Sequence, residues 1–311
     1  MPATAPLLVV LRALKLGDLL TAVPALRALA RAYPEHHRVL AINAGLAPLV
    51  ELTGAVHEVV DTGELAPLAP ELHRADVAVN LHGQGPQSTA LLGQTRPRRL
   101  VAFGVPGCPQ WRPGEHERHR WCRLLGEVGI PADPDDFRLA RPAREAPAIA
   151  RGATVVHPGA STAARRWPAE RWAAVAAAEA AAGRPVVVTG SAVERPLAEQ
   201  VAASADLPAG SVLAGRTDLV DLLAVVGAAE RVVCGDTGVA HVATALAVPS
   251  VVIFGPTSPA EWGPPASGPH RALWAGHTGD PLADERFPGL LDVSVADVVA
   301  ALADLSQRCR S

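Results

Sequence analysis

Cysteine is scarce in this chain. Cys108, Cys122, Cys234 and Cys309 stand far apart, and no C-x-x-C pair occurs among them. That spacing excludes a disulfide framework or a zinc site and reads as four cytosolic thiols. Long apolar runs are missing too. No stretch reaches the roughly 18 uncharged residues that a membrane helix needs. The N-terminal apolar run is interrupted by Arg12, Lys15 and Asp18, which argues against a signal peptide. Charge of one sign is also lacking: 28 basic and 31 acidic side chains leave a formal net charge of −3. Nothing draws the whole molecule to nucleic acid or to a membrane surface. A cytoplasmic protein with no membrane span and no nucleic-acid partner is expected. Lysine is nearly absent: Lys15 is the only one, against 27 arginines. A high-GC coding bias explains the arginine excess. Lys15 itself is either required as lysine or left by chance.

What is present is core-forming material. Apolar residues make up 49% of the 311 and charged residues 19%, which excludes intrinsic disorder and supports two cores. Along the chain a strand, a loop and a helix recur. Leu7–Arg12 reads as a buried strand, followed by Gly17, Asp18 and a helix with Leu19, Val23, Leu26, Ala30 and Tyr33 on one face. Val39–Asn43, Asp76–Leu81 and Arg99–Phe103 read as further strands and Glu115–Gly129 as a helix. Residues 133–150 hold Pro134, Pro142 and Pro147 with little periodicity, a linker. The second half restarts the alternation with strands at Ala153–His157, Pro185–Thr189, Arg231–Cys234 and Ser250–Phe254. One helix opens at Pro168 and stops at Gly183, and a second, capped by Thr217 or Asp218, reaches Val226. A third spans Val239–Ala247 and a last one Ser294–Leu305. The expected class is therefore α/β, with two doubly wound Rossmann-like domains, 1–150 and 151–311, facing a cleft.

The loops after these strands carry the chemistry. Gly235-Asp236-Thr237-Gly238-Val239-Ala240-His241 joins a strand to a helix N-terminus, where glycine permits close backbone approach and the helix end favours an anion. A plain helix cap by Asp236 or Thr237, with His241 an ordinary half-buried histidine, is the competing reading. His157-Pro-Gly-Ala-Ser-Thr-Ala-Ala-Arg-Arg-Trp167 supplies the hydroxyls of Ser161 and Thr162 and the forks of Arg165 and Arg166, suited to phosphate oxygens. Gly190 and Ser191 with Glu194 repeat the arrangement, the carboxylate suiting ribose hydroxyls or a first-turn cap. In the first half, Lys15-Leu16-Gly17-Asp18 places a carboxylate between strand and helix, either a general base or a cap. His82-Gly83-Gln84-Gly85-Pro86-Gln87-Ser88 departs from G-x-G-x-x-G at Ser88, so a polar loop for a hydroxylated ligand fits better than a dinucleotide site. Two patterns are set aside. In His116-Glu117-Arg118-His119 the histidines are three apart, not four, and the segment reads as a polar helix face. Asp133-Pro134-Asp135-Asp136 reads as a turn.

Taken together these motifs resemble glycosyltransferase family 9, the heptosyltransferases of the GT-B fold. The carriers are Leu16-Gly17-Asp18-Leu19-Leu20 with Pro24-Ala25-Leu26, His157-Pro158-Gly159 through Arg165-Arg166-Trp167-Pro168, Asp236-Thr237-Gly238 with His241, and Phe254-Gly255-Pro256-Thr257 with Trp262-Gly263. The resemblance implies an inverting, metal-independent transferase without a cofactor. It would move a heptose-like sugar from a nucleotide-diphosphate sugar, an ADP-sugar above all, to a hydroxyl of a glycan or glycolipid acceptor. It casts Asp18 as the base. Ser161, Thr162, Arg165, Asp236, Thr237, Gly238 and His241 become the diphosphate site, and the segment from Gly215 to Thr217 falls by the base and ribose; Gly190, Ser191 and Glu194 join the donor side on the reading of their own loop. Lys15, Gly17, His82 and Gln84 fall on the acceptor side. Studied members carry lysine where this chain has Arg165, a swap that keeps the charge and changes its geometry. Two other activities share the architecture: a nucleotide-sugar 2-epimerase and a silent nucleotide-sugar-binding protein.

Overall fold

The computed structural model describes residues 5–308, so Cys309 lies outside the described residues. The chain divides into two compact units, Met1–Leu139 and Ala140–Ser311, and the division falls inside the proline-rich stretch at 133–150.

The first unit is built in chain order from β1 (Leu7–Leu11), α1 (Leu16–Ala32), β2 (His37–Ile42), α2 (Ala47–Thr53), β3 (Glu58–Asp61), β4 (Val77–Asn80), α3 (Gln87–Gln94), β5 (Arg99–Val101) and α4 (Glu117–Glu127). All strands pair in parallel, in the order β3-β2-β1-β4-β5. The inner strands β1 and β4 are sealed by apolar side chains on both faces, as a parallel sheet covered by helices requires. α1 starts at Leu16 with Asp18 as its third residue, and it continues through Pro24, whose missing N–H leaves the Leu20 carbonyl unbonded by the helix. The polar turn at 133–136 is observed. Asp133 accepts from Asp135 N at 2.9 Å, and Asp136 pairs with Arg27 and Arg31 of α1 at 2.8 and 2.7 Å.

The second unit comprises β6 (Thr154–His157), α5 (Ala169–Ala181), β7 (Val186–Val188), α6 (Arg195–Ser204), α7 (Leu219–Ala228), β8 (Arg231–Gly235), α8 (Gly238–Ala245), β9 (Ser250–Ile253), α9 (Pro259–Trp262), β10 (His270–Leu273) and α10 (Val295–Arg308). Its parallel order is β10-β9-β8-β6-β7. Trp167, Trp172, Val251, Ile253, Leu290 and Leu302 are in the core. Pro168 is the N-cap of α5 and not its first helical residue. Of the two residues proposed to cap α7, Asp218 does so: it accepts from Asp221 N at 2.7 Å and Asp221 returns the bond to its backbone at 3.2 Å.

Both sheets reverse direction once. In the first unit the chain moves outward from β1 to β3 and then returns to lay β4 on the other side of β1. In the second it moves from β6 to β7 and returns to lay β8 against β6. Connections leave these two strand pairs on opposite sides, the topology at whose carboxyl ends α/β proteins take ligands. Asp18 lies in the first turn of α1, after β1, and His82 in the loop after β4. The loops after β6 and β8 carry Ser161–Arg166 and Asp236–Gly238.

Candidate functional site

In the first unit the switch-point loops are stapled by Arg12, one residue beyond β1. Its side chain is fully buried. Nε donates to the Asp18 carbonyl at 2.9 Å, Nη1 to the Leu81 carbonyl, and Nη2 to Thr21 Oγ1 at 3.1 Å and Glu117 Oε1 at 3.2 Å. The guanidinium also lies over the Trp121 ring, 4.8 Å from its centre. A buried charge is tolerated only with partners of this quality. Glu117 in turn receives Arg120 and the Trp121 indole N–H. This corrects the reading of 116–119 as a polar helix face: Glu117 and Arg118 are buried, and His116 is the N-cap of α4. Neither Arg12 nor Glu117 was singled out from sequence. The available signal was a charged residue closing an otherwise apolar strand, which must find a counter-charge somewhere.

Asp18 is a quarter exposed. It occupies the third position of α1, not the N-cap. Its Oδ2 accepts from Lys15 N at 3.2 Å, and Thr21 Oγ1 donates to its carbonyl at 2.9 Å. Oδ1 stands 3.8 Å from Arg12 Nη2. The carboxylate therefore has one oxygen tied to the helix start and one facing a fixed positive charge. Lys15 is exposed and Gly17 half-buried beside it. In the loop after β4, His82 is half-buried, with its backbone N–H donating to Asn80 Oδ1 at 2.9 Å, and Gln84 is exposed. Burial and then the Arg12 charge lower the His82 pKa, while Asp18 opposes them.

In the second unit Arg165 joins the two switch-point loops. Nη2 donates to Ser161 Oγ at 2.6 Å, Nε to Thr162 Oγ1 at 3.3 Å and Nη1 to the Asp236 carbonyl at 3.4 Å, with the Asp236 carboxylate 4.0 Å away. These use three of its five N–H groups. The Thr162 hydroxyl proton is committed to the Pro281 carbonyl at 2.7 Å, so Thr162 is not free to donate to phosphate while that bond lasts. The segment bearing Pro281 lies along the loop: Ala164 N donates to Ala283 O at 3.2 Å, and Arg286 Nε to Arg166 O at 2.9 Å. Thr237 takes the N-cap position of α8 without a side-chain capping bond. His241 packs edge-on against Trp262, 6.0 Å between rings.

Glu194 ends the loop after β7. Its Oε2 accepts from Ser191 N and Oγ, both at 2.8 Å. The carboxylate lies close over Gly159: a Cβ there would stand 2.1 Å from Oε1, so any other residue requires the Glu194 side chain to move. Gly190 and Gly215 adjoin through Gly215 N to Gly190 O at 3.0 Å, and Gly215, at φ +69°, is packed on Ala192 of the same loop. Thr217 follows, half-buried. Burial raises the Glu194 pKa, but the Ser191 N–H and then His157 outweigh it and hold the carboxyl below its usual range.

His157, buried at the end of β6, bonds Thr189 Oγ1 at 3.1 Å through Nδ1. Burial lowers its pKa and Glu194 opposes the shift without cancelling it. The folded ring thus stays neutral where the unfolded ring, titrating near roughly 6.5, takes a proton. Stability conferred by His157 is complete above about pH 6.5 and is lost as pH falls toward the lowered folded value. Melting curves from pH 7.5 to 5 are expected to fall, by at most about 1.4 kcal/mol per pH unit for one such group. His157→Asn, which keeps a partner for Thr189, is expected to flatten that slope. An unchanged slope assigns the loss to other groups.

The three described cysteines are free thiols. Burial pushes Cys122 up to about 12 and raises Cys234 as well, so neither is a nucleophile at neutral pH. Among the described residues no helix is long and apolar enough to cross a membrane, and no group of three or more His, Cys, Asp or Glu is placed to hold a metal.

The model of glycosyltransferase family 9 (heptosyltransferase) matches residues 118–280, more than half of the chain. The chain belongs to glycosyltransferase family 9. Among relatives of this family-9 protein, lipooligosaccharide heptosyltransferase 2 of Haemophilus influenzae is 35% identical over 107 residues, 33% of this chain and 31% of that one. The match thus spans about a third of the curated relative's length. The fold extends much further. Escherichia coli ADP-heptose lps heptosyltransferase II superposes with a TM-score of 0.77 over 98% of this chain and 100% of that one, at 22% identity. E. coli heptosyltransferase WaaC with ADP gives 0.68 over 98% and 99%, at 18% identity. The two-sheet α/β architecture expected from the sequence is the one these structures share.

Proposed function

We propose that this family-9 protein is an inverting glycosyltransferase. It moves a heptose-like sugar from an ADP-sugar to a hydroxyl of a lipooligosaccharide-type glycan, without a metal. The observation that carries the reading is the coincidence of candidate residues with both switch points, a lone carboxylate at one and an arginine with a helix N-terminus at the other. The names of the relatives supply the sugar and acceptor class, and the ADP-bound neighbour supplies the base.

The acceptor oxygen attacks the anomeric carbon. Its proton passes to Asp18, the bond from that carbon to the phosphate oxygen breaks, and the diphosphate leaves with the electron pair. Charge grows on the leaving group. Arg165 has N–H groups to spare for it, and the amides at the start of α8 add partial positive charge without reorganising. A carboxylate beside phosphate repels it, so Asp236 serves the donor's sugar hydroxyls and the orientation of Arg165. Glu194 takes the ribose hydroxyls after leaving Ser191.

The test uses ADP-heptose and a deacylated lipooligosaccharide core lacking its terminal heptose, with product mass and anomeric configuration read by mass spectrometry and NMR. Transfer with inversion is expected, at the same rate after EDTA treatment and desalting. Activity lost to EDTA and restored by magnesium or manganese overturns the arginine-and-amide account of the leaving group. An isomerised donor without transfer identifies an epimerase, and binding without turnover a silent binding protein.

A further inference from the structure

His82 has a feature that the transfer reading does not use. Its Nδ1 is buried and has no hydrogen-bond partner among the described residues. β1 and β4 are neighbours with Leu11 opposite Asn80, so Arg12 and Leu81 stand level, and the Arg12 guanidinium donates to the Leu81 carbonyl just before the ring. A proton on Nδ1 would be an orphan buried donor on a ring that already feels the Arg12 charge. A bare lone pair there is the cheaper arrangement, and the proton belongs on Nε2. Burial and Arg12 also keep the ring neutral near pH 7. The ring is half-buried, with only Nδ1 sealed from solvent. His82 therefore offers one N–H, of fixed tautomer, at the switch point that also holds Asp18.

We propose that His82 Nε2–H binds an oxygen of the acceptor sugar other than the attacking one, and so sets acceptor affinity while Asp18 takes the proton. The attacking oxygen is excluded because a donor on its lone pair would weaken the nucleophile. This assignment rests on the transferase reading above.

The experiment compares His82→Gln with His82→Asn, using ADP-heptose and the deacylated core as probes. The glutamine amide nitrogen reaches about where Nε2 stands, and the asparagine nitrogen about where Nδ1 stands. One neutral hydrogen bond is worth a factor of roughly 2 to 12. The expected result is an acceptor KM raised about tenfold in His82→Asn and less than about threefold in His82→Gln. In both, kcat and ADP affinity stay close to wild type. Nitrogen-15 spectra of the wild-type ring, assigned by the signal lost in His82→Asn, are expected to show the neutral Nε2–H form at pH 7.5. An Nδ1–H ring, equal KM rises in the two variants, or a fall in kcat at unchanged KM overturns the proposal. The spectra need no variant to fold beyond assignment, and thermal melts separate misfolding from lost affinity. A wild-type protein that binds ADP-heptose but transfers nothing to the core overturns the transferase reading, and the His82 assignment with it; that outcome is distinct from an active wild type with an unaffected His82→Asn.

Discussion

Asp18→Asn is expected to abolish nearly all transfer, by about 10²–10⁴-fold in single turnover, while the fold and ADP binding persist. The geometry makes asparagine the right probe. The amide oxygen can still accept from Lys15 N, where Asp18 Oδ2 now does at 3.2 Å. The carbonyl that Arg12 and Thr21 hold is backbone and is unchanged. What disappears is the ability to take a proton, together with one negative charge 3.8 Å from Arg12. Arg12 and Arg120 then share Glu117 alone, and a partly exposed charge lost at that distance costs on the order of 1 kcal/mol, a few degrees in Tm. If Asp18 serves only to start α1, its substitution leaves turnover within a factor of a few of wild type. That result in a folded, ADP-binding variant removes Asp18 as the base. Asp18→Ala is the weaker test, since it also deletes the acceptor for Lys15 N and mixes helix fraying with lost chemistry.

The elements that carry this site were legible in the sequence because their physics is local. Val186–Val188 is a continuous apolar run, as is Ser250–Ile253 after its first residue, the signature of strands buried on both faces, and Gly190 and Gly255 mark the turns after them. Glu58–Asp61 and His270–Leu273 were not read as strands. Both are four-residue edge strands with exposed or half-exposed positions, so neither periodicity nor apolarity marks them. The site residues divide the same way. Asp18, Ser161, Arg165, Glu194 and Asp236 lie in strand-to-helix connections or in the first helical turn after them and are exposed to inspection there. Arg12 and Glu117 acquire meaning only from each other, across 105 residues, and the Thr162 hydroxyl is claimed by Pro281 across 119. A strand-end arginine looks like the close of a strand until its partner is placed. The 116–119 segment looks like a solvated helix face until Arg12 and Arg120 are seen to converge on Glu117.

Arg165→Ala is expected to weaken ADP binding by about 10–150-fold, the effect of losing one charge-assisted contact worth roughly 1.5–3 kcal/mol. The unliganded side chain is held by Ser161 Oγ, Thr162 Oγ1 and the Asp236 carbonyl. Each is a neutral acceptor that keeps other bonds or meets water when the arginine goes, and the side chain is about a quarter exposed. The largely buried Asp236 carboxylate also loses a cation 4.0 Å away, so a thermal melt accompanies the titration, and a loss of affinity in a folded variant measures the ligand contact. Arg165→Lys separates charge from shape. Lysine restores the charge but not the fork, and it can reach only one of the acceptors that arginine now spans. If charge alone holds the diphosphate, Arg165→Lys binds ADP nearly as well as wild type. If the bidentate fork is used, it stays several-fold weaker. Calorimetry with ADP, GDP and UDP on the three proteins gives both answers. An Arg165→Ala variant that binds its preferred nucleotide as tightly as wild type takes Arg165 out of the donor site. The leaving-group charge would then fall to the amides at the start of α8 alone.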